Sequence, residues 1–368
     1  QPFSFPQLYL ASGVTTARTT GSIEPYTDLQ VKARVDSGQL PGPDLYLTTP
    51  YLEGAPSAFL QMFPLKNAEE ARAFVDYWHA VGFTSLKAYI DVKPDELRAG
   101  IEEAHKLGMR VTGHICSVGY IEAAEMGIDD LEHGPFIAPD GELLPNKKPG
   151  LCGDGQGNFL SLLKGMATNI EPDGPELRKT IETLIAHHVA VTSTLAVVEG
   201  GHGQALNSGS IKRAHELMSL PAWSAVMTNR VRAIEFESLW VTLLKKEMKF
   251  ERNFVAAGGT LLAGSDPTGN GMTLAGLADQ RQVELLVEAG FTPVEAIHIA
   301  TQNGAIFLGA ADRLGSVAPG KQADLVLLDG DLAKDISVIE KPEIVFKNGV
   351  GYDPNAIYES LRGQVGLQ

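Results

Sequence analysis

Four side chains, Lys87, His114, His133 and Asp266, each stand at or near the C-terminal end of a separate strand-like run. Two imidazoles and a carboxylate supply the nitrogen and oxygen donors that zinc favours, and a catalytic zinc site keeps one position open for water. A lysine ammonium has no lone pair to give at neutral pH. It becomes a ligand if it captures carbon dioxide as a carbamate, an anionic oxygen donor able to bridge two metals. Asp266 would bind metal and act as the catalytic residue that takes the proton from the attacking water. The metal would lower that water's pKa and polarise the scissile carbonyl. Each residue also has a plainer reading: Lys87 as a structural lysine paired with a carboxylate, the histidines as satisfied core residues, and Asp266-Pro267 as a turn starter. Their joint placement at strand ends favours the ligand set.

The elements that must position them form a regular series. Residues 14–18, 44–49, 84–90, 109–115, 128–133, 189–195 and 260–266 read as strands, short apolar runs with many β-branched residues. Helices over about 68–81, 95–107 and 118–126 lie between them and stop at Gly82, Gly108 and Gly127, the expected C-cap residue. Such alternation with right-handed crossovers gives a doubly wound sheet or a closed barrel. A barrel brings the strand ends together on one face, as the four candidate ligands require. Strand alternation turns Leu86, Ala88 and Ile90 outward and Ser85, Lys87 and Tyr89 inward, and places Thr112 with His114. The fold class is therefore α/β, a TIM-type (β/α)8 barrel with seven of its eight strands identified. The segment before Gly13 looks like a helix tail, so the remaining strand, first in order, is expected to precede residue 1.

Residues 135–172, rich in Gly, Pro, Lys and Asn, read as a long loop over the catalytic face. Residues 199–258 read as mostly helical, including 213–218 and 225–250. After Gly309 the texture changes to a strand within 315–329 and a hairpin turning at Asn348-Gly349. This divides the chain into a catalytic domain, 1–309, and a β-strand region with a tail, 310–368.

The 368 residues carry a net charge of −15, which argues against nucleic acid and anionic membrane as partners. No apolar run approaches the roughly 18 residues that cross a bilayer. A small-molecule substrate and a homo-oligomer are expected instead. The only two cysteines, Cys116 and Cys152, can both reach the catalytic rim. Two free thiols or one bridge tethering the long loop are both open. A bridge would place the protein outside the cytoplasm, periplasmic or secreted.

Six motifs carry a resemblance. They are Gly13-Val14-Thr15-Thr16, Ser85-Leu86-Lys87-Ala88-Tyr89, Ala104-His105-Lys106-Leu107-Gly108 leading to Gly113-His114, Leu131-Glu132-His133-Gly134, Ala263-Gly264-Ser265-Asp266, and the run from Val317 to Leu325. Over residues 13–353 the chain resembles the amidohydrolase superfamily, close to its imidazolonepropionase and Xaa-Pro dipeptidase-like branch. The resemblance implies a carbamate on Lys87, one metal on His114 and His133, and Asp266 as general base and ligand. It also implies that the C-terminal strands belong to a small β-sandwich whose other half is N-terminal. The family's first strand ends in a His-x-His pair for a second metal, and no such pair occurs in this sequence. That pair is expected with the missing strand, giving two zinc ions per full subunit, or one if the chain starts at Gln1.

The implied activity is metal-dependent hydrolysis of an amide-type bond in a dipeptide, N-acyl amino acid, cyclic amide or carbamate. An esterase or lactonase on the same site is the alternative enzyme. A barrel scaffold that has lost the first-strand histidines is the non-catalytic one. Tyr89 and Tyr120 are expected to bind substrate, and His202 is a further candidate contact. The remaining histidines read as helix-end or surface residues.

Overall fold

The computed structural model describes residues 4–55, 62, 64–153, 155, 158–201, 208–267 and 273–366. His202 lies outside them. Strand β1 (Thr16–Arg18) pairs in parallel with β2 (Asp44–Tyr46). Strands β3 (Thr48–Leu52), β4 (Ser85–Ala88), β5 (Arg110–Gly113), β6 (Asp130–Glu132), β7 (Ala190–Ser193) and β8 (Leu261–Ala263) form a parallel sheet in that order. Only Leu47 separates β2 from β3, and its carbonyl accepts the Thr84 and Ser85 N–H groups. The two sheets are thus one run of seven strand positions, at the seven places expected from the sequence.

That run is curled. Arg18 on β1 donates to Asp130 Oδ2 on β6 at 2.7 Å. Strands four positions apart in a flat sheet would lie about 19 Å from each other, so only a sheet rolled on itself permits the contact. Among the described residues β1 and β8 do not pair, and the roll stays open between them. The outward apolar residues pack under the helices in one large core that includes Leu52, Leu86, Val111, Leu131, Val191 and Leu261.

Local signals act as expected at most helix ends. Asn67 accepts the Glu70 N–H to start helix Ala68–Val81, and Gly82 closes it in the left-handed conformation. Three stretches differ from expectation. The long loop after β6 ends at 158, because Asn158 caps an α-helix over Phe159–Asn169. The helix expected over 225–250 is broken by a 3₁₀ turn at Ile234–Phe236. The preceding helix, Leu220–Ala233, packs Val226 with Leu8 and Leu361. Helix Glu237–Ala256 instead sends Leu243, Phe250 and Phe254 into the main core, so the chain must change direction. Beyond the hairpin, Asp353 caps a helix over Pro354–Leu361 that sequence reading left as a tail.

The C-terminal sheet is antiparallel, with β9 (Leu325–Leu328) and β11 (Val350–Tyr352) flanking β10 (Pro342–Lys347). Its hairpin turns at Asn348 and Gly349, φ 53° and 79°, the conformation an Asn-Gly type I′ turn needs. Lys347 Nζ ties this sheet to the parallel one through Asp44 Oδ2 on β2 at 2.9 Å, and also holds Asp324 Oδ2, just ahead of β9, at 3.1 Å. Cys116 and Cys152 form a disulfide. No described helix is long and apolar enough to cross a membrane.

Candidate metal centre

The inner ends of β4 to β8 meet around one cavity of about 1850 Å³, lined by Lys87, Tyr89, His114, His133 and Asp266 among others. This exceeds the few hundred to 1,000 Å³ of ordinary ligand pockets. The cavity runs on into the opening between β8 and β1, lined by Leu262 to Ser265 on one side and Thr15 to Thr19 on the other.

His114 follows β5 directly, and its Nε2 is buried with no hydrogen-bond partner among the described residues. The His133 ring lies 4.8 Å away, centre to centre. His133 Nδ1 meets Thr194 Oγ1 at 2.7 Å, and its Nε2 faces Asp266 Oδ2 at 3.9 Å. With Nδ1–H donated to Thr194, the Nε2 lone pair is turned to the cavity, the usual way an outer hydrogen bond orients a ligating imidazole. Burial pushes both imidazoles down, His133 to about 3, and the nearby Lys87 adds to the effect. Both are therefore neutral donors at physiological pH. Burial pushes the Asp266 carboxyl up, against the pull of Lys87. His133 and Asp266 have φ of 71° and 44°, a left-handed backbone that side-chain-bearing residues rarely adopt and that concentrates at functional sites.

Lys87 points inward and is almost wholly buried. Its ammonium contacts Glu132 Oε2, so the paired-lysine alternative describes the contact seen here. Burial still drives its pKa down, which favours the free amine that carbamate formation needs. Beneath it Asp130 accepts from Arg18 and Thr192, and the single Thr112 hydroxyl proton is shared between Asp130 at 2.8 Å and Glu132 at 2.7 Å. These floor residues were not singled out from the sequence. The period of two was the available signal, since Asp130 with Glu132 and Thr192 with Thr194 repeat the inward alternation of Lys87 with Tyr89.

As for a metal, no group of three or more His, Cys, Asp or Glu side chains among the described residues is gathered closely enough to hold an ion. The donor types are those a metal takes: an unpartnered Nε2, a second imidazole oriented by Thr194, and a carboxylate across from it. Tyr89 lines the cavity with Tyr51, their rings 4.6 Å apart. Burial raises both phenols well above their ordinary range and keeps them neutral. Tyr120, expected at the pocket, is instead fully buried and donates its hydroxyl to the Ala138 carbonyl at 2.9 Å. The sequence put it early in a helix after β5, which fixes its height on the barrel but not its direction.

Comparison with known proteins places the chain. Over 67 residues it is 43% identical to an adenine deaminase of Desulforamulus reducens, covering 18% of this chain and 10% of that protein. Over 105 residues it is 33% identical to an ochratoxinase of Aspergillus niger, covering 28% and 21%. The chain thus matches only about a tenth to a fifth of the length of these relatives. Among solved structures it is similar to a bottromycin amidohydrolase, with TM-score 0.71 and 20% identity over 97% of this chain and 75% of that one. It is also similar to a Xaa-Pro dipeptidase with bound methionine in the active site, with TM-score 0.66 and 18% identity over 94% and 77%. At these identities the likeness is one of fold. The amidohydrolase family model matches residues 9–350, and the chain belongs to that family.

Proposed function

We propose that this protein hydrolyses an amide-type bond of a small molecule at a divalent metal centre, zinc by the chemistry of its donors. The observation that carries the reading is the unpartnered Nε2 of His114, buried beside an oriented His133 whose own Nε2 faces Asp266 in its left-handed backbone. His114 and His133 would hold the metal, with Asp266 and carbamylated Lys87 completing its shell. When bound, the ion supplies Lewis acidity at the carbonyl and a more acidic water. Asp266 would take a proton from the attacking water and return it to the departing amine. Lys87, freed from Glu132 and lowered by burial, is the amine that would take up carbon dioxide.

We read the fold as a (β/α)8 barrel whose remaining strand would fill the opening between β8 and β1, bringing donors for a second metal. The disulfide supports folding in an oxidising compartment. The test is amine release from dipeptides, N-acyl amino acids and cyclic amides by chelator-stripped and zinc-reloaded protein, beside Asp266→Asn. Zinc should restore turnover, and Asp266→Asn should lose it by a factor of roughly 10²–10⁴ with its melting curve unchanged. Chelator-resistant turnover, or full activity in Asp266→Asn, would overturn the reading.

A further inference from the structure

The His114 ring is in contact with two aromatic rings, Tyr89 and Phe159. Tyr89 lies 5.3 Å from it on one side, with Tyr51 against Tyr89 at 4.6 Å, and Phe159 lies 6.2 Å away. Tyr51 and Tyr89 come from β3 and the end of β4, fixed parts of the sheet. Phe159 does not: it opens the helix that follows the loop 135–158, and 42% of its surface is exposed. A single exposed phenylalanine is ordinary. This one packs against a candidate ligand that Tyr89 also contacts.

The loop that delivers Phe159 is fastened to the segment just after His114. Cys116, two residues past His114, is bonded to Cys152. Gly141 sits so close to the Cys116 carbonyl that a Cβ there would lie 2.0 Å from the oxygen. Lys147 Nζ donates to the Ser117 carbonyl at 2.8 Å, and the Tyr120 hydroxyl to that of Ala138 at 2.9 Å. Residues 138–152 are thereby pinned at several points to Cys116, Ser117 and Tyr120, two to six residues past His114. The bridge closes residues 116–152 in the unfolded chain as well as the folded one, so it sets an anchor seven residues ahead of Phe159 at little further entropy.

We propose that Tyr51, Tyr89 and Phe159 form an aromatic wall beside His114 that selects amides bearing an aromatic ring next to the scissile bond, with the Cys116–Cys152 bridge holding Phe159 in the wall. This rests on the amide-hydrolase reading for its reaction, and on the ring geometry alone for its selectivity. Offset and edge-on ring contacts account for a preference of about two- to tenfold for a ring over a small aliphatic group.

The experiment uses the full zinc-loaded chain and two matched pairs, N-phenylacetylglycine with N-acetylglycine and N-acetyl-L-phenylalanine with N-acetyl-L-alanine. Amine release and ligand-observed NMR binding are read in parallel on wild type, Phe159→Ala, Phe159→Leu and Cys152→Ser, with melting curves as a folding check. Wild type should prefer the ring-bearing member of at least one pair by that factor. Phe159→Ala and Cys152→Ser should remove the preference, and Phe159→Leu should reduce it. Ring-dependent binding without hydrolysis of any amide would defeat the proposed reaction and leave the wall standing. Equal hydrolysis or equal binding within both pairs, no binding at all, or a preference that survives Phe159→Ala would overturn the wall. A preference lost in Phe159→Ala but kept in Cys152→Ser would overturn the role of the bridge.

Discussion

Gly134 and Glu247 together decide whether His133 keeps its position, and their coupling can be worked from the geometry. Gly134 has φ +71°, and a Cβ built there would lie 1.9 Å from Glu247 Oε1 and 2.6 Å from its Cδ. The Glu247 carboxyl is buried, is pushed well above the usual carboxylate range by that burial, and accepts the Phe136 N–H at 3.1 Å. Gly134→Ala meets two separate costs. The left-handed backbone adds about 1–2 kcal/mol for a residue with a side chain. Forcing a methyl against the carboxyl adds about 1–3 kcal/mol of overpacking, so the single change should cost about 2–5 kcal/mol. Glu247→Ala removes the obstacle but strands a buried Phe136 N–H, at about 1–3 kcal/mol. In that background Gly134→Ala should cost only the backbone part, leaving a coupling of about 1–3 kcal/mol. Urea unfolding of the two single variants and the double variant measures it, with zinc affinity as a second readout of His133. Additive costs, to within about 0.5 kcal/mol, would refute the contact as the reason glycine stands at 134.

Further outcomes follow from other contacts. Thr194→Val deletes the oxygen that orients His133 Nδ1 at 2.7 Å and should weaken zinc binding about 10–100-fold, with little change in the melting curve; unchanged affinity by competition with a chelating dye counts against it. Arg18→Met leaves Asp130 buried without its cation and should cost about 3–5 kcal/mol in denaturant unfolding; a cost near zero would mean Thr112 and Thr192 suffice. Burial raises Glu53 to about 8, so the folded state holds its proton through the interval in which an unfolded glutamate ionises. Stability from this group therefore falls as pH rises from about 4.5 to about 8. Glu53→Gln should gain on wild type across that window by roughly a few kcal/mol, and parallel pH–stability curves would refute it.

Much of the frame was legible because short-range chemistry wrote it. β-Branched runs of a few residues, alternating with helices closed by Gly82, Gly108 and Gly127, mark the βα units, and period-two alternation turns Lys87 and Thr112 inward. Partners across the curled sheet were not legible, since no local pattern ties Arg18 to Asp130 or Lys87 to Glu132; the curl makes those pairs. Tyr120 shows the same limit on a helix, where a one-residue rotation separates the pocket from the core. Helix Phe159–Asn169 was hidden by the Gly and Pro content of the loop before it, although Asn158 offered a cap three residues ahead of the Ser161 N–H it accepts. The break at Ile234–Phe236 carries neither Gly nor Pro and arises from two helices serving different cores.

The central claim is that the strand ends after β4, β5, β6 and β8 build one metal centre. Native mass spectrometry after equilibration with zinc and bicarbonate tests it most directly, on wild type, His133→Ala and Lys87→Met. Wild type should retain zinc with a labile carbon dioxide adduct, His133→Ala should lose most of the metal, and Lys87→Met should lose the adduct. Equal zinc and equal adduct in all three proteins would contradict the account.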